Sequence, residues 1–465
     1  MATSLAPDRS PVPGPSTWLP GGAYWAFRND PLAFFTDTAR TYGDIAGFKF
    51  GPQKVYLISR PEWIEDVLVK SAGKFGKGIA LERAKALLGE GLLTASGQHH
   101  LKQRRTIQPL FHRQHVQGFA EAMVDHAARW RDSVTPGAPL DLTREMSRLT
   151  LGIVGETLFS SDVQGDADEV QEALTDAVSN FAYAFIPGLN YLSKLPLPMF
   201  ARMRTARERL DRVIHRVIAE RRIGTPSTSA KATVAREGLP APRPDLIAML
   251  LAARDPENPN EGGMSDTQIR DEAMTIFLAG HETTANAMAW TWHLLGSAPD
   301  VESRLHQELT AVVDGRIPTM DDVPKLEWTR AVVSEALRLF PPAWTMGRRV
   351  LQDHAVGDHT LEKGALVILS QWVVHRDPRW WPEPESFKPE RWTRAAGDRP
   401  KYAYFPFGGG SRVCIGEAFA WTEAILLVAT IAQRWRFVRG SEPPPTPEPR
   451  ITLRPKGLRM TALAR

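Results

Sequence analysis

The stretch from Ser265 to Leu295 constrains the fold more than any other part of the chain. Ser265-x-x-Gln268 has the form of a capping box, in which side chains and backbone at a helix start satisfy each other's hydrogen bonds. Apolar residues then fall on most sides: Met274, Ile276, Phe277, Leu278, Met288, Trp290 and Trp292. The pattern predicts a helix continuing to about Leu295, roughly 45 Å long at 1.5 Å per residue. A helix that long, with no wide polar face, must cross the centre of a large body. The chain has the material for one, with 465 residues of which 43% are hydrophobic and 24% charged. That composition is ordinary for a globular protein.

The middle of this helix reads Ala279-Gly-His-Glu-Thr-Thr284. Gly280 costs about 1 kcal/mol against alanine there, which suggests that something lies against the backbone. Glu282 and Thr283 interrupt an apolar run, and a buried carboxyl is costly unless it is paired or functional. Thr283 could bond back to a carbonyl one turn earlier and kink the helix. A carboxyl beside an alcohol at this point could alternatively handle protons.

The second constraint is the loop Phe405-Pro-Phe-Gly-Gly-Gly-Ser-Arg-Val-Cys-Ile-Gly416, which holds the chain's single cysteine, Cys414. One thiolate makes neither a disulfide nor a tetrahedral zinc site. It can serve as the protein ligand of a haem iron. Gly408, Gly409 and Gly410 would let backbone approach a flat macrocycle. N–H groups at the start of the following helix would stabilise a negative sulfur. A buried structural cysteine is the alternative.

Taken together, Phe407-x-x-Gly410-x-Arg412-x-Cys414-x-Gly416 and Ala279-Gly280-x-Glu282-Thr283-Thr284 resemble the haem-ligand and oxygen-binding signatures of the cytochrome P-450 superfamily. The resemblance implies a mainly α fold with small β-sheets, a long central helix over haem b, and an axial thiolate from Cys414. It implies a monooxygenase that inserts one atom of O2 into an apolar small molecule such as a terpenoid, fatty acid or steroid. Peroxide-driven relatives carry Arg-Pro in place of the acid–alcohol pair. This chain keeps Glu282-Thr283, so O2 and two electrons from a separate ferredoxin or flavodoxin with its reductase are expected. Thr283 and Glu282 would then be catalytic. His100, Arg104, Arg348 and Arg412 would hold the haem propionates, with Arg349 as a second candidate beside Arg348. Ala279, Gly280, Phe407 and Gly416 would line the cofactor, and Thr275, Leu278, Trp344 and Met346 the substrate. His281 falls at a variable position and receives no chemistry. Alternatives are a haem-thiolate isomerase or dehydratase, a haem sensor, or a haem-free helical protein.

His100 and Arg104 share a helix face at i and i+4. Lys102 and Arg105 beside them could form a docking face for an acidic electron donor. Glu335 and Arg338 sit in an apolar frame that needs further partners, and Arg391 completes the triad that the resemblance implies. Trp392 stands where the family more often has Phe, a departure expected to matter little.

Elsewhere, Ile45 to Ile58 alternates around Gly51-Pro52 as a hairpin does. Ser59-x-x-Glu62 reads as a second capping box. Gly357-Asp358 and the run Ala365–Leu369 suggest a second small sheet, and Ile451 to Leu463 a terminal hairpin. Aromatic residues Phe181, Tyr183, Phe185, Tyr191 and Phe200 surround a proline-broken link and could form a lid. Residues 1–20 read as an extended lead-in and 224–244 as a surface loop, within one domain spanning 1–465. The net charge of +4 is too small to argue for nucleic acid. With no apolar window long enough for a membrane span and no export signal, a cytoplasmic protein is expected.

Overall fold

The computed structural model describes residues 11–15, 22–159, 198–223, 245–260, 262–393 and 399–465. The aromatic lid candidates and the 224–244 loop lie outside the described residues, apart from Phe200, whose backbone alone is described. Helices dominate. The first seven are α1 (Gly22–Asn29), α2 (Pro31–Tyr42), α3 (Pro61–Glu65), α4 (Ile79–Leu88), α5 (Gly97–Ile107), α6 (Arg113–Ser133) and α7 (Leu142–Phe159). They are followed by α8 (Pro198–Arg222), α9 (Leu246–Ala252), α10 (Asp266–Leu295), α11 (Pro299–Val312), α12 (Glu327–Leu339), α13 (Gln371–Val374) and α14 (Glu417–Ile431).

The central helix is α10. Its Ser265–Gln268 capping box is formed on both sides, and the helix runs 30 residues without a break. It packs most extensively against α7 and also against α8, α12 and α14. Apolar side chains from α6, α7, α10, α11, α12 and α14 fuse into one core around Met288, Trp292, Leu337 and Leu427.

The five-stranded sheet lies to one side. It is built from β1 (Ile45–Phe50), β2 (Gln53–Ile58), β3 (Phe75–Lys77), β5 (Met346–Val350) and β8 (Leu366–Leu369) in the order β1-β2-β8-β5-β3. The β1–β2 hairpin pairs Ile45 with Ile58, as its alternation predicts. The run Ala365–Leu369 does not start a sheet of its own, because β8 lies parallel to β2 and antiparallel to β5. Its residues from Val367 to Leu369 are buried, so it needs a neighbour on each side, and β2 comes to it from far along the chain. The Gly357 turn does join two strands, β6 (His354–Val356) and β7 (His359–Leu361).

The C-terminal segment departs from its expected hairpin. Strand β11 (Leu453–Lys456) pairs with the preceding strand β10 (Thr446–Pro449) instead of the last one. That last strand, β12 (Arg459–Ala464), pairs with β4 (Pro139–Asp141) and β9 (Trp435–Val438). The Ser59 capping box also fails to form: Arg60 is the cap of α3, and its guanidinium meets Glu62 at 3.1 Å. The Ser59 amide still belongs to the hairpin, donating to the Asp44 carbonyl, so the strand claims that residue before the helix can.

Candidate active site

A buried polar lattice fixes the frame. Glu335 and Arg338 on α12 are both fully buried and joined by two bonds, at 2.9 and 2.8 Å. Glu335 also accepts from Arg391 at 3.2 Å, the Lys388 amide at 3.0 Å and the Trp392 indole at 2.9 Å. The Trp in place of the family's Phe therefore supplies a donor to this carboxylate. Arg338 spends its remaining donors on the carbonyls of His375, Pro384 and Ser386. His375 passes the connection on, its ring nitrogen accepting from the Phe405 amide at 3.0 Å. That bond ties the triad to the start of the cysteine loop, a role that nothing in the sequence around His375 signals.

The loop itself is held by the Cys414 amide, which donates to the Phe407 carbonyl at 2.9 Å. Phe407 packs near Trp421 on α14. The glycines answer to protein neighbours. Gly410 has φ +68°, and a Cβ on it would strike the Leu68 carbonyl; one on Gly409 would strike the Tyr402 ring. The loop is thus pressed between the 66–70 turn and Tyr402, which alone accounts for two of the three glycines. Cys414 is deeply surrounded by protein, yet its side chain keeps accessible surface. Burial pushes its thiol up to about 11, against the pull of the Gly416 amide and the Arg104 charge. Ile415 packs into the same apolar cluster as Phe277 and Leu278 of α10, which brings the loop and the central helix together.

On α10, Ala279 is exposed although Phe277 and His281 beside it are buried. A Cβ at Gly280 would meet only Val154, at an ordinary 3.5 Å. Protein packing therefore does not demand that glycine. Thr283 donates to the Ala279 carbonyl at 2.6 Å, the expected bond back along the helix. Burial raises the Glu282 pKa, opposed by Thr452 and the charges of Arg454 and Arg450. His281 is a brace, its ring 3.0 Å from both the hydroxyl and the carbonyl of Ser147 on α7.

A cluster of cations lies beside the loop. His100 and Arg348 are buried, and Arg348 bonds only the adjacent Gly347 carbonyl among the described residues. Arg412 reaches the Ala95 carbonyl and Arg104 the Val413 carbonyl. Lys77, cross-strand partner of Arg348, joins them and donates to the carbonyls of Leu92 and Leu93. Burial and mutual repulsion push Lys77 down to about 6, His100 to about 3 and Arg348 to about 10. Among the described residues Glu272 is the one carboxyl acting on this group, and burial raises it to about 8. At these values Lys77 and His100 are neutral near pH 7, so the positive charge that an anion would balance sits on Arg348, Arg412 and Arg104. Lys77 is missed by sequence reasoning because only the β3–β5 pairing brings it to the cluster. Arg349 points elsewhere, 3.6 Å from Glu82.

The residues present fit a haem. They offer one accessible sulfur with a backbone donor, an open helix face, and buried cations suited to carboxylates. A thiol near 11 becomes a thiolate when a metal binds it. The family comparison decides the matter: the cytochrome P-450 family pattern matches residues 11–462. The chain belongs to the cytochrome P-450 family. It is 38% identical to cyclooctatin synthase of Streptomyces melanosporofaciens, over 91% of this chain and 90% of that one. It is 35% identical to cyclooctat-9-en-7-ol 5-monooxygenase of the same organism, covering 93% of each. It is 32% identical to pentalenene oxygenase of Streptomyces avermitilis, over 94% and 92%. This P-450 is a monooxygenase, and such enzymes need an electron-transfer partner and O2.

Other expectations meet mixed outcomes in this P-450. Leu278 is half-buried on α10, and the Met346 methyl lies against Gly408. Trp344 is core, packed with Phe35 and Ile368, its indole donating to the Arg450 carbonyl at 3.0 Å. The Thr275 hydroxyl is turned against Gly91. Arg105 is committed to Asp255 through two bonds, at 2.7 and 2.6 Å, and to Glu257 at 2.6 Å, so it is not free for docking. Lys102 remains exposed. Among the described residues, no helix is long and apolar enough to cross a membrane.

Proposed function

We propose that this chain, as one catalytic unit of 465 residues, oxygenates a terpenoid in the cytoplasm with electrons from a ferredoxin or flavodoxin. Haem b bound through Cys414 would supply the activation of O2. Cys414 holds the group, with the Gly416 amide donating to its sulfur. Arg348, Arg412, His100, Arg104 and Lys77 balance the propionates, and their own charges are relieved in return. Thr283 and Glu282 would manage protons: Thr283 carries its hydroxyl on α10, and burial raises the Glu282 pKa against the pull of Thr452, Arg454 and Arg450. Ala279 and Leu278 exclude water and offer an apolar wall.

The observation that carries this reading is the group of basic residues beside Cys414, for which Glu272, itself raised to about 8 by burial, is the one balancing carboxyl among the described residues. The terpenoid class is favoured by the names of the relatives, which describe oxygenation of cyclooctat-9-en-7-ol and pentalenene. The test is a spectral screen on the purified haem protein. A thiolate-type Soret band of the reduced CO complex is expected, and it should vanish in Cys414→Ala. Cyclic diterpenes and sesquiterpenes should shift the spin state at lower concentration than fatty acids or steroids. Tighter binding of a fatty acid would overturn the substrate class.

A further inference from the structure

We propose that the β10–β11 hairpin forms the outer half of the proton path to Glu282, with the Thr452 hydroxyl as its link. The inference rests on the acid–alcohol reading of Glu282 and Thr283. Glu282 and Asn286 lie one turn apart on the same face of α10. The Asn286 amide donates to the Thr452 hydroxyl oxygen at 2.9 Å, in a fully buried contact. A hydroxyl has a single proton to give. With Asn286 occupying a lone pair, that proton is free to point at the Glu282 carboxyl, which bears on the same hydroxyl.

The hairpin turn is fixed for this task. The Trp290 indole donates to the Leu453 carbonyl at 3.1 Å, the Trp344 indole to the Arg450 carbonyl at 3.0 Å, and the Leu453 amide to the Pro342 carbonyl at 2.9 Å. Thr452 is 5% exposed. Immediately beyond it, Arg450 and Arg454 flank Glu448 at 2.9 and 3.6 Å, each about one third exposed. Water therefore reaches the Arg450–Glu448–Arg454 group, whereas Glu282 is only partly exposed. When Glu282 gives a proton toward Thr283, Thr452 passes its own to the carboxylate and regains one from the solvent side. Each group returns to its starting state, and no charge is left behind.

The test uses the haem-loaded protein with its reductase system, and three variants of the link. Thr452→Val should lower product formed per electron pair about tenfold, raise peroxide release, and change the solvent isotope effect. It should also slow hydrogen–deuterium exchange of the Glu282 carboxylic acid C=O infrared band, identified by its loss in Glu282→Gln. Thr452→Ser should restore both readouts. Wild-type coupling and exchange in Thr452→Val, or failure of Thr452→Ser to rescue, would overturn the proposal. If Thr452→Val does not take up haem, Asn286→Ala carries the test, since it leaves the hairpin intact but unseats the hydroxyl. Both readouts should then fall about twofold, and unchanged values would overturn the link. Glu282→Gln and Thr283→Ala serve as controls. If these two remain coupled, the acid–alcohol reading itself fails; if they uncouple while Thr452→Val does not, only the hairpin path fails.

Discussion

Glu335 and Glu423 are both fully buried carboxyls on helices of the same core, and they live in opposite ways. Glu335 collects five donors from Arg338, Arg391, Trp392 and the Lys388 amide. Neither oxygen of Glu423, on α14, has a well-formed hydrogen bond, although Thr284 stands close enough to pull its pKa down slightly against burial. The contrast separates two kinds of buried polarity. Around the triad, charge is saturated and holds the loop that carries Cys414. Beside the loop, charge and polarity are left incomplete: among the described residues Arg348 meets no carboxylate, and one oxygen each of Glu272 and Thr275 has no partner. A site that must accept a charged cofactor cannot be electrostatically finished beforehand.

The strongest way to break this comparison is at the saturated end. Glu335→Ala leaves Arg338 buried without its carboxylate and should cost about 3–5 kcal/mol, enough to prevent recovery of folded haem protein. Urea unfolding within about 1 kcal/mol of wild type would show that the lattice is dispensable.

Glu423→Gln tests the unsatisfied end through pH. Burial raises the Glu423 pKa from 4.5 to about 8, so the folded state keeps a proton that the unfolded chain releases. Wild-type stability should therefore fall as pH rises from 4.5 towards 8, then level off. The amide has no such loss, so the variant should gain a few kcal/mol relative to wild type between about pH 5 and pH 8.5, on the order of 1.4 kcal/mol per pH unit over part of that range. An equal difference at both pH values would mean that Glu423 is already ionised and paired.

Trp392→Phe removes one donor from the five on Glu335 and should cost about 1.5–3 kcal/mol, as for a hydrogen bond to a charged group. A change below about 0.5 kcal/mol would show that four donors suffice and that the tryptophan is a neutral departure. The smallest effect belongs to the cation cluster. Arg348→Met should stabilise the cofactor-free protein by on the order of 1 kcal/mol, because an unbalanced buried charge is removed. The same variant should release haem faster in a transfer assay to apomyoglobin. Destabilisation of the cofactor-free protein would mean that Arg348 has a structural partner.

Much of this arrangement was legible because it is local. The Ser265 capping box, the unbroken α10, the Ile45–Ile58 hairpin and the i, i+3 spacing of Glu335 and Arg338 all follow from short-range stereochemistry. What escaped depends on contacts between distant segments. Trp344 reads as a pocket residue until the Arg450 carbonyl claims its indole. Arg105 reads as a free surface cation until Asp255 and Glu257 claim its guanidinium. The terminal hairpin was misplaced because β12 finds its partners in β9 and in β4, which lies in the first third of the chain.

By itself, the sequence determined the family and marked Cys414 and the Glu282–Thr283 pair as candidates, since each is written as neighbouring residues at fixed spacing on one element. Only the tertiary structure decided which of Arg348 and Arg349 turns inward, that Lys77 joins the cations, and that Thr452 meets Glu282 from the C-terminal hairpin. The reason is physical. Spacing within a helix or loop sets which side chains share a face, whereas burial and charge balance depend on what the rest of the chain packs against that face.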